Sequence, residues 1–274
     1  VKGKLRVKSG ELNLNTGIHT CEDSTIISAR TKISGSASLR SNNWVKTEGT
    51  LELAGGDLLL TRGFELAQSG SLIVSNSALI DHFDTDSNYQ FNLYGVIDIN
   101  GLVFKHADTL GMYIDSLAEI IQLNNVEFDS VASSGTHLYI VRNDTFIASF
   151  SGCSFDSTCS VNIHADGGGD STYIKMTNYS GGKAGEAYDE EINNAHVVWI
   201  FQRVWTGAVD SLWSNPNNWS PVGVPCDTED VMIPDSVTTY PVLDTEGYAY
   251  SIVIDDTLNL KTKTLYVKGD LVCN

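Results

Sequence analysis

The sequence predicts an all-β fold, a parallel β-solenoid followed by a small tryptophan-anchored β module, on three observations. Apolar runs are short, whereas a helical solenoid needs amphipathic stretches of about ten residues or more. Ser, Thr, Asn, Asp and 24 Gly fill the gaps, which suits strands and turns. Two motifs recur along the chain, the mark of coils that bury one face against their neighbours.

The first motif is LRVKSGELNLN (residues 5–15), repeated as LELAGGDLLL (51–60), FELAQSGSLIV (64–74) and LYVKGDLVCN (265–274). Each copy reads as two period-2 strands bent at Gly, where a positive φ costs little. The second is NGLVFKHAD (100–108), NNVEFDSVA (124–132) and SGCSFDSTC (151–159), aligned on Phe104, Phe128 and Phe155. A degraded fourth copy, TNYSGGKAG, starts at Thr177. In a parallel coil, equivalent positions stack about 4.8 Å apart and make internal ladders of Phe, Leu and Val. An antiparallel β-sandwich with irregular loops is the competing reading.

The 274 residues carry a formal charge of -17, which argues against nucleic acid as a partner, since phosphates demand a basic surface. No apolar run approaches the roughly 18 residues of a membrane helix, so no membrane insertion is expected. The charge is uneven: residues 1–62 hold nine Lys/Arg and six Asp/Glu, and residues 204–260 hold nine Asp/Glu and no Lys or Arg. With neither an initiator Met nor a signal peptide, the chain starts inside a patterned segment and reads as cut from something longer. Of five cysteines, none has the CxxC spacing of a zinc site. Cys153 and Cys159 are close enough in sequence for a local disulfide, and Cys21 and Cys273 lie near opposite termini, where a bond between neighbouring molecules is conceivable. Buried free thiols are the alternative.

The strand–Gly–strand rungs and the Asn-x-x-x-Phe turns resemble the right-handed parallel β-helices of the pectin-lyase-like superfamily over roughly residues 1–200. That gives a domain at 1–203. The segment WTGAVDSLWSNPNNWSPVGVPCDTEDVMIP, from Trp205, resembles a module of large secreted surface proteins of Bacteroidota. The pattern here is Trp205-Thr-Gly, Trp213, Asn215-Pro216, Asn218-Trp219, Gly223, Val224-Pro225 and Asp230-Val-x-Ile-Pro234. It defines a Trp/Pro-rich joint at 204–226 and a strand ladder at 227–274 that continues the β-helix or starts another. The resemblance implies secretion and display at the cell surface, as in adhesins and structural repeats, and implies no enzymatic activity. Trp205, Trp213 and Trp219 read as an apolar cluster pinning the joint, with a platform for sugar rings as the other reading.

Chemistry is hard to place on this chain. A uronate lyase needs a base and a cation or Ca²⁺ against the substrate carboxylate, yet of six Arg only Arg142 falls in the middle coils. GTH (135–137) and RTK (30–32) do not supply the His turn and Arg-x-Lys pair of a β-helix hydrolase. The expectation is a non-enzyme, with a carbohydrate-binding or polysaccharide-cleaving β-helix as the alternative. Two acidic loops offer oxygen ligands for Ca²⁺, Asp84 with Asp86 and Asp166 with Asp170, although Tyr89 stands where a calcium loop needs Gly. Solvated turn acids are the other reading, and no further cofactor is expected. Asn143, Asn178 and Asn218 begin triplets of the N-glycan acceptor type.

Neither terminus shows a capping pattern, and residues 1–15 and 264–274 both read as interior rungs. Bare solenoid ends pair with other chains, and a tail-to-head contact builds an open filament. The expected interface is Lys4, Leu5, Val7 and Leu12 against Leu265, Val267, Leu271 and Cys273, with the Lys-rich opening facing the base-free C-terminal segment. The expected function is therefore an extracellular structural or adhesive protein, a self-assembling subunit or covalent repeat of a fibre or surface stalk. Its partner is a second copy, and polysaccharide is the alternative partner.

Overall fold

Alternation of inward apolar and outward polar residues shapes each rung. In Ser71–His82, Leu72, Val74, Ala78 and Ile80 are buried while Ser71, Ser75 and Asn76 are not. A computed structural model describes residues 1–84, 87–169 and 171–274. The chain is all-β and forms a parallel β-solenoid of about 12 turns. It divides into two units, Val1–Trp199 and Ile200–Asn274, so the division falls a few residues before the expected 203/204 boundary.

In the first unit one face is a nine-stranded parallel sheet running from Leu5–Val7 to Glu190–Ile192. A second sheet runs from Glu11–Cys21 through Arg30–Ser41, Thr50–Ala54, Ser71–His82, Val96–Lys105 and Glu119–Asp129 to Ser154–Phe155. Leu5 pairs with Thr25, Thr25 with Val45, and Val45 with Phe64, steps of 20, 20 and 19 residues. Phe64 to Phe91 takes 27. The ladder tolerates this spread because extra residues leave at corners, while a one-residue slip inside a strand would turn its apolar set outward. Parallel ladders exclude the sandwich.

The longer motif stacks as its spacing predicts. Phe104 pairs with Phe128, and Phe128 with Phe155. Their ring centroids lie 6.0 and 5.3 Å apart, and all three side chains are fully buried. The start of each copy has a backbone reason. Gly101, Asn125, Gly152 and Asn178 all adopt positive φ (91°, 53°, 71° and 51°) at the same corner. Gly and Asn are the residues that enter this left-handed region most readily, so NG, NN, SG and TN are one turn written four ways. The Asn125 amide donates to Asn100 Oδ1 one turn away at 2.7 Å. In the fourth copy Ser154 bridges to Ser180, which sets Gly181 beside Phe155. The Trp199 ring fills the space a fourth phenyl would occupy, edge-on to Phe155 at 5.6 Å and to Tyr179 at 4.9 Å.

The shorter motif is less uniform than its sequence. Residues 5–15 and 64–74 each cross from the first sheet to the second. The copy at 51–60 instead lies wholly within the second sheet, as Thr50–Ala54 and Asp57–Leu60, bent at Gly55 (φ 82°). Similar strand–Gly–strand chemistry thus serves two different corners.

The second unit has its own core of Trp205, Trp213, Trp219, Val231, Ile233, Leu243, Ala249 and Ile252. Glu229–Ile233, Ile252–Ile254 and Leu271–Cys273 form one parallel ladder, and Gly247–Ala249 pairs with Leu265–Val267 in another.

Candidate functional site

The two end rungs carry the predicted interface residues. At the first, Val1, Leu5, Leu12, Leu14, Cys21 and Leu39 line an open cavity of about 180 Å³. At the last, Ile254, Leu258, Leu260, Leu265, Leu271 and Cys273 line one of about 290 Å³. Lys4, Leu271 and Cys273 are exposed, Leu5, Leu12, Leu265 and Val267 are half-buried, and Val7 is buried. Among the described residues, Leu5–Val7 and Glu11–Cys21 at the first rung and Leu265–Val267 and Leu271–Cys273 at the last pair on one side only, an arrangement that accepts another strand.

Aligning LYVKGDLVCN on LRVKSGELNLN sets Cys273 over Leu14, which lines the same end cavity as Cys21. Cys21 is itself buried, with its thiol donating to Gly3 O at 3.2 Å. One expectation at these ends needs correction: the electrostatic steering is weaker than the wider segment suggests, because the last rung carries Lys261, Lys263 and Lys268. Lys268 is paired with Asp227 at 2.7 Å.

The tryptophan module is a packed joint. Trp219 meets Trp205 and Trp213 edge-on at 4.9 and 4.7 Å, and all three rings are buried, which leaves no open face for a sugar. Trp219 Nε1 donates to Trp213 O and Trp205 Nε1 to Thr239 O. Asn218 holds the loop from within. Its Oδ1 accepts from the N–H groups of Val209 and Asp210, and its Nδ2 donates to Asp210 Oδ1 and Leu212 O, at 2.7–3.1 Å. Every hydrogen-bonding position of that amide is used and the side chain is fully buried, so it is no glycan acceptor. Sequence reading also missed Arg203, whose guanidinium grips Glu229 through two bonds of 2.7 and 2.8 Å and donates to Pro221 O. Gly223 is needed there, since a Cβ would fall 2.6 Å from that guanidinium.

In the middle coils, Arg142 is buried and bidentate to Asp144 at 3.0 Å, with a further bond to Ala118 O. It is committed to the fold and not presented to a cleft. Nearby, His137 Nε2 meets Asp156 at 2.8 Å and Nδ1 meets the Cys159 sulfur at 3.0 Å. A carboxylate only accepts, so Nε2 carries the proton, and the single proton of the Cys159 thiol faces two acceptors, Val161 O at 2.9 Å and His137 Nδ1. This acid–imidazole–thiol order is that of a nucleophilic triad, but burial pushes the Cys159 thiol up to about 11, which disfavours the thiolate that a nucleophile needs. Cys153 is likewise a free buried thiol, so the two form no local disulfide.

Burial also lowers the pKa of His137 below its ordinary 6.5. Burial opposes ionisation of Asp156, yet hydrogen bonds from Ser130, Thr158 and His137 hold it below the usual carboxylate range. Stability from neutral His137 is complete above pH 6.5 and lost as pH falls through its depressed folded value; the Asp156 contribution is complete above 3.8 and lost below that. The urea midpoint should therefore drop between neutral pH and about pH 5, and His137→Gln should flatten that drop.

Each acidic loop has one described acid. Asp166 Oδ1 accepts from Gly168 N–H and from the Asn193 amide, serving its own turn. Asp84 is exposed, and Asp86 and Asp170 lie outside the described residues. Among the described residues, the carboxylates that do gather, within 4.8 Å, are Glu186, Asp189 and Glu191. Asp189 is raised to about 6 by burial and accepts from Trp199 Nε1. No helix among the described residues is long and apolar enough to cross a membrane.

Comparison with known proteins adds one match. No curated protein and no solved structure matches the chain. Residues 204–271, nearly coincident with the second unit, match a family model described as a domain of unknown function, DUF8693.

Proposed function

We propose that the chain is an extracellular structural or adhesive element, a length of β-solenoid in a fibre or stalk, whose end rungs receive further parallel rungs from a second copy. The supporting observation is that the first and last rungs, residues 5–15 and 265–274, share one motif and line apolar cavities. In the motif register Leu265 stacks on Leu5, Val267 on Val7, Leu271 on Leu12 and Cys273 on Leu14. Tyr266 already stacks on Tyr248 at 5.3 Å, and Arg6 of the next copy continues that column as a cation on an aromatic face. Strand pairing and burial of Leu and Val supply the binding, and exposed charges contribute about 0–1 kcal/mol each. The resemblance of the tryptophan module to secreted surface proteins supports placement outside the cell.

Sedimentation of the isolated chain should show concentration-dependent growth without a closed end state. Leu12→Asp and Leu271→Asp should each leave the chain folded and stop growth. A covalently fused pair of copies should unfold at a higher urea midpoint than one copy. A chain that stays monomeric, together with a fused pair no more stable than a single copy, overturns the proposal.

A further inference from the structure

A separate pocket of about 460 Å³ opens at a corner of the first unit, lined by Trp44, Thr61, Arg62, Asn88, Gln90 and Asp108. Successive turns supply it. Trp44 pairs with Gly63, Gly63 with Gln90, and Tyr89 with Ala107, which brings Asp108 near Gln90. Gly63 makes the seat, because a Cβ there would fall 2.7 Å from the Trp44 ring. The indole therefore lies against bare backbone.

The lining groups are held but not spent. Asn88 Nδ2 donates to Ala107 O at 2.9 Å, and one oxygen of half-buried Asp108 accepts from Leu110 N–H at 3.0 Å. Burial raises the pKa of that carboxyl above its ordinary value, a sign that it lacks a cationic partner. Among the described residues the side chains of Trp44, Arg62 and Gln90 make no hydrogen bond or ion pair. Arg30 and Arg142, by contrast, are paired with carboxylates, and Arg40 lies over the Phe83 ring.

Charge selects the ligand class. An anion gains from Arg62 but meets Asp108, and a cation meets the reverse. A hydroxyl satisfies both, accepting from a guanidinium and donating to a carboxylate. A ring that carries adjacent hydroxyls and an apolar C–H face also suits an indole wall, and the volume lies within the range of small-ligand sites. We infer that this corner pocket binds a neutral sugar, its ring against Trp44 and its hydroxyls shared among Arg62, Gln90 and Asp108. The site is independent of the end rungs.

The test is a fluorescence titration of the whole chain with neutral gluco-, manno-, galacto- and xylo-oligosaccharides, beside anionic oligogalacturonate and cationic chitosan oligosaccharide. At least one neutral member should change the tryptophan emission saturably, and the charged ones should bind more weakly. Arg62→Ala, Asp108→Asn and the exposed Gln90→Ala should each weaken that binding about tenfold with circular dichroism unchanged. Leu271→Asp, which blocks stacking, should leave it intact. The inference is overturned if no neutral member binds the folded chain, if a charged member binds as tightly, or if the folded pocket variants bind like the parent.

Discussion

Phe128→Ala lowers the free energy of unfolding of the first unit by about 3–5 kcal/mol, the range for emptying a fully buried aromatic site. The ring lies between Phe104 and Phe155 with no exposure of its own. Its loss removes transfer energy and three aromatic contacts together, with Phe104, His137 and Phe155. Strands above and below are tied to the ladder by backbone hydrogen bonds, so the walls cannot collapse to fill the hole. Phe128→Leu keeps most of the volume and should cost about 1–1.5 kcal/mol. Urea unfolding of the two variants beside the parent measures both. Equal midpoints for parent and Phe128→Ala would mean that the internal column does not carry the stability assigned to it.

Arg203→Met should destabilise the second unit by about 3–5 kcal/mol, because it strands the Glu229 carboxylate beneath the loop. Glu229 is buried and accepts both guanidinium bonds, one of its oxygens also accepting Cys226 N–H. The destabilisation comes from the uncompensated charge more than from a lost attraction. The paired variant Arg203→Met with Glu229→Gln should therefore recover much of the loss. Hydrogen exchange at Val231 and Ile252, which sit on the ladder beside that pair, reports the unit locally. A double variant as unstable as the single one would show that the arginine acts through packing alone.

What could be read from the residues follows how each feature is written. The phenylalanine column was legible because one residue type recurs at nearly constant spacing beside a Gly or Asn corner. The tryptophan joint was legible as a motif, but the bonds that make Asn218 its internal brace involve four backbone and side-chain partners that no spacing rule specifies. Arg203 and Glu229 lie on adjacent strands, 26 residues apart in sequence and two positions out of register, and nothing periodic surrounds them. The corner pocket was invisible for a related reason: Trp44, Arg62, Gln90 and Asp108 belong to successive turns and meet only after winding. The copy at 51–60 misleads in the opposite direction, since strand–Gly–strand is generic chemistry for any bend in a β-coil. Of the calcium loops the structure describes one acid each, and Asp166 uses Oδ1 on its own turn.

The unequal length of the turns bears on how such a chain can change over generations. Steps of 19 and 27 residues share one ladder, so insertions and deletions at corners leave the stacked interior intact. Corner loops of this coil can thus vary in length without displacing the stacked interior.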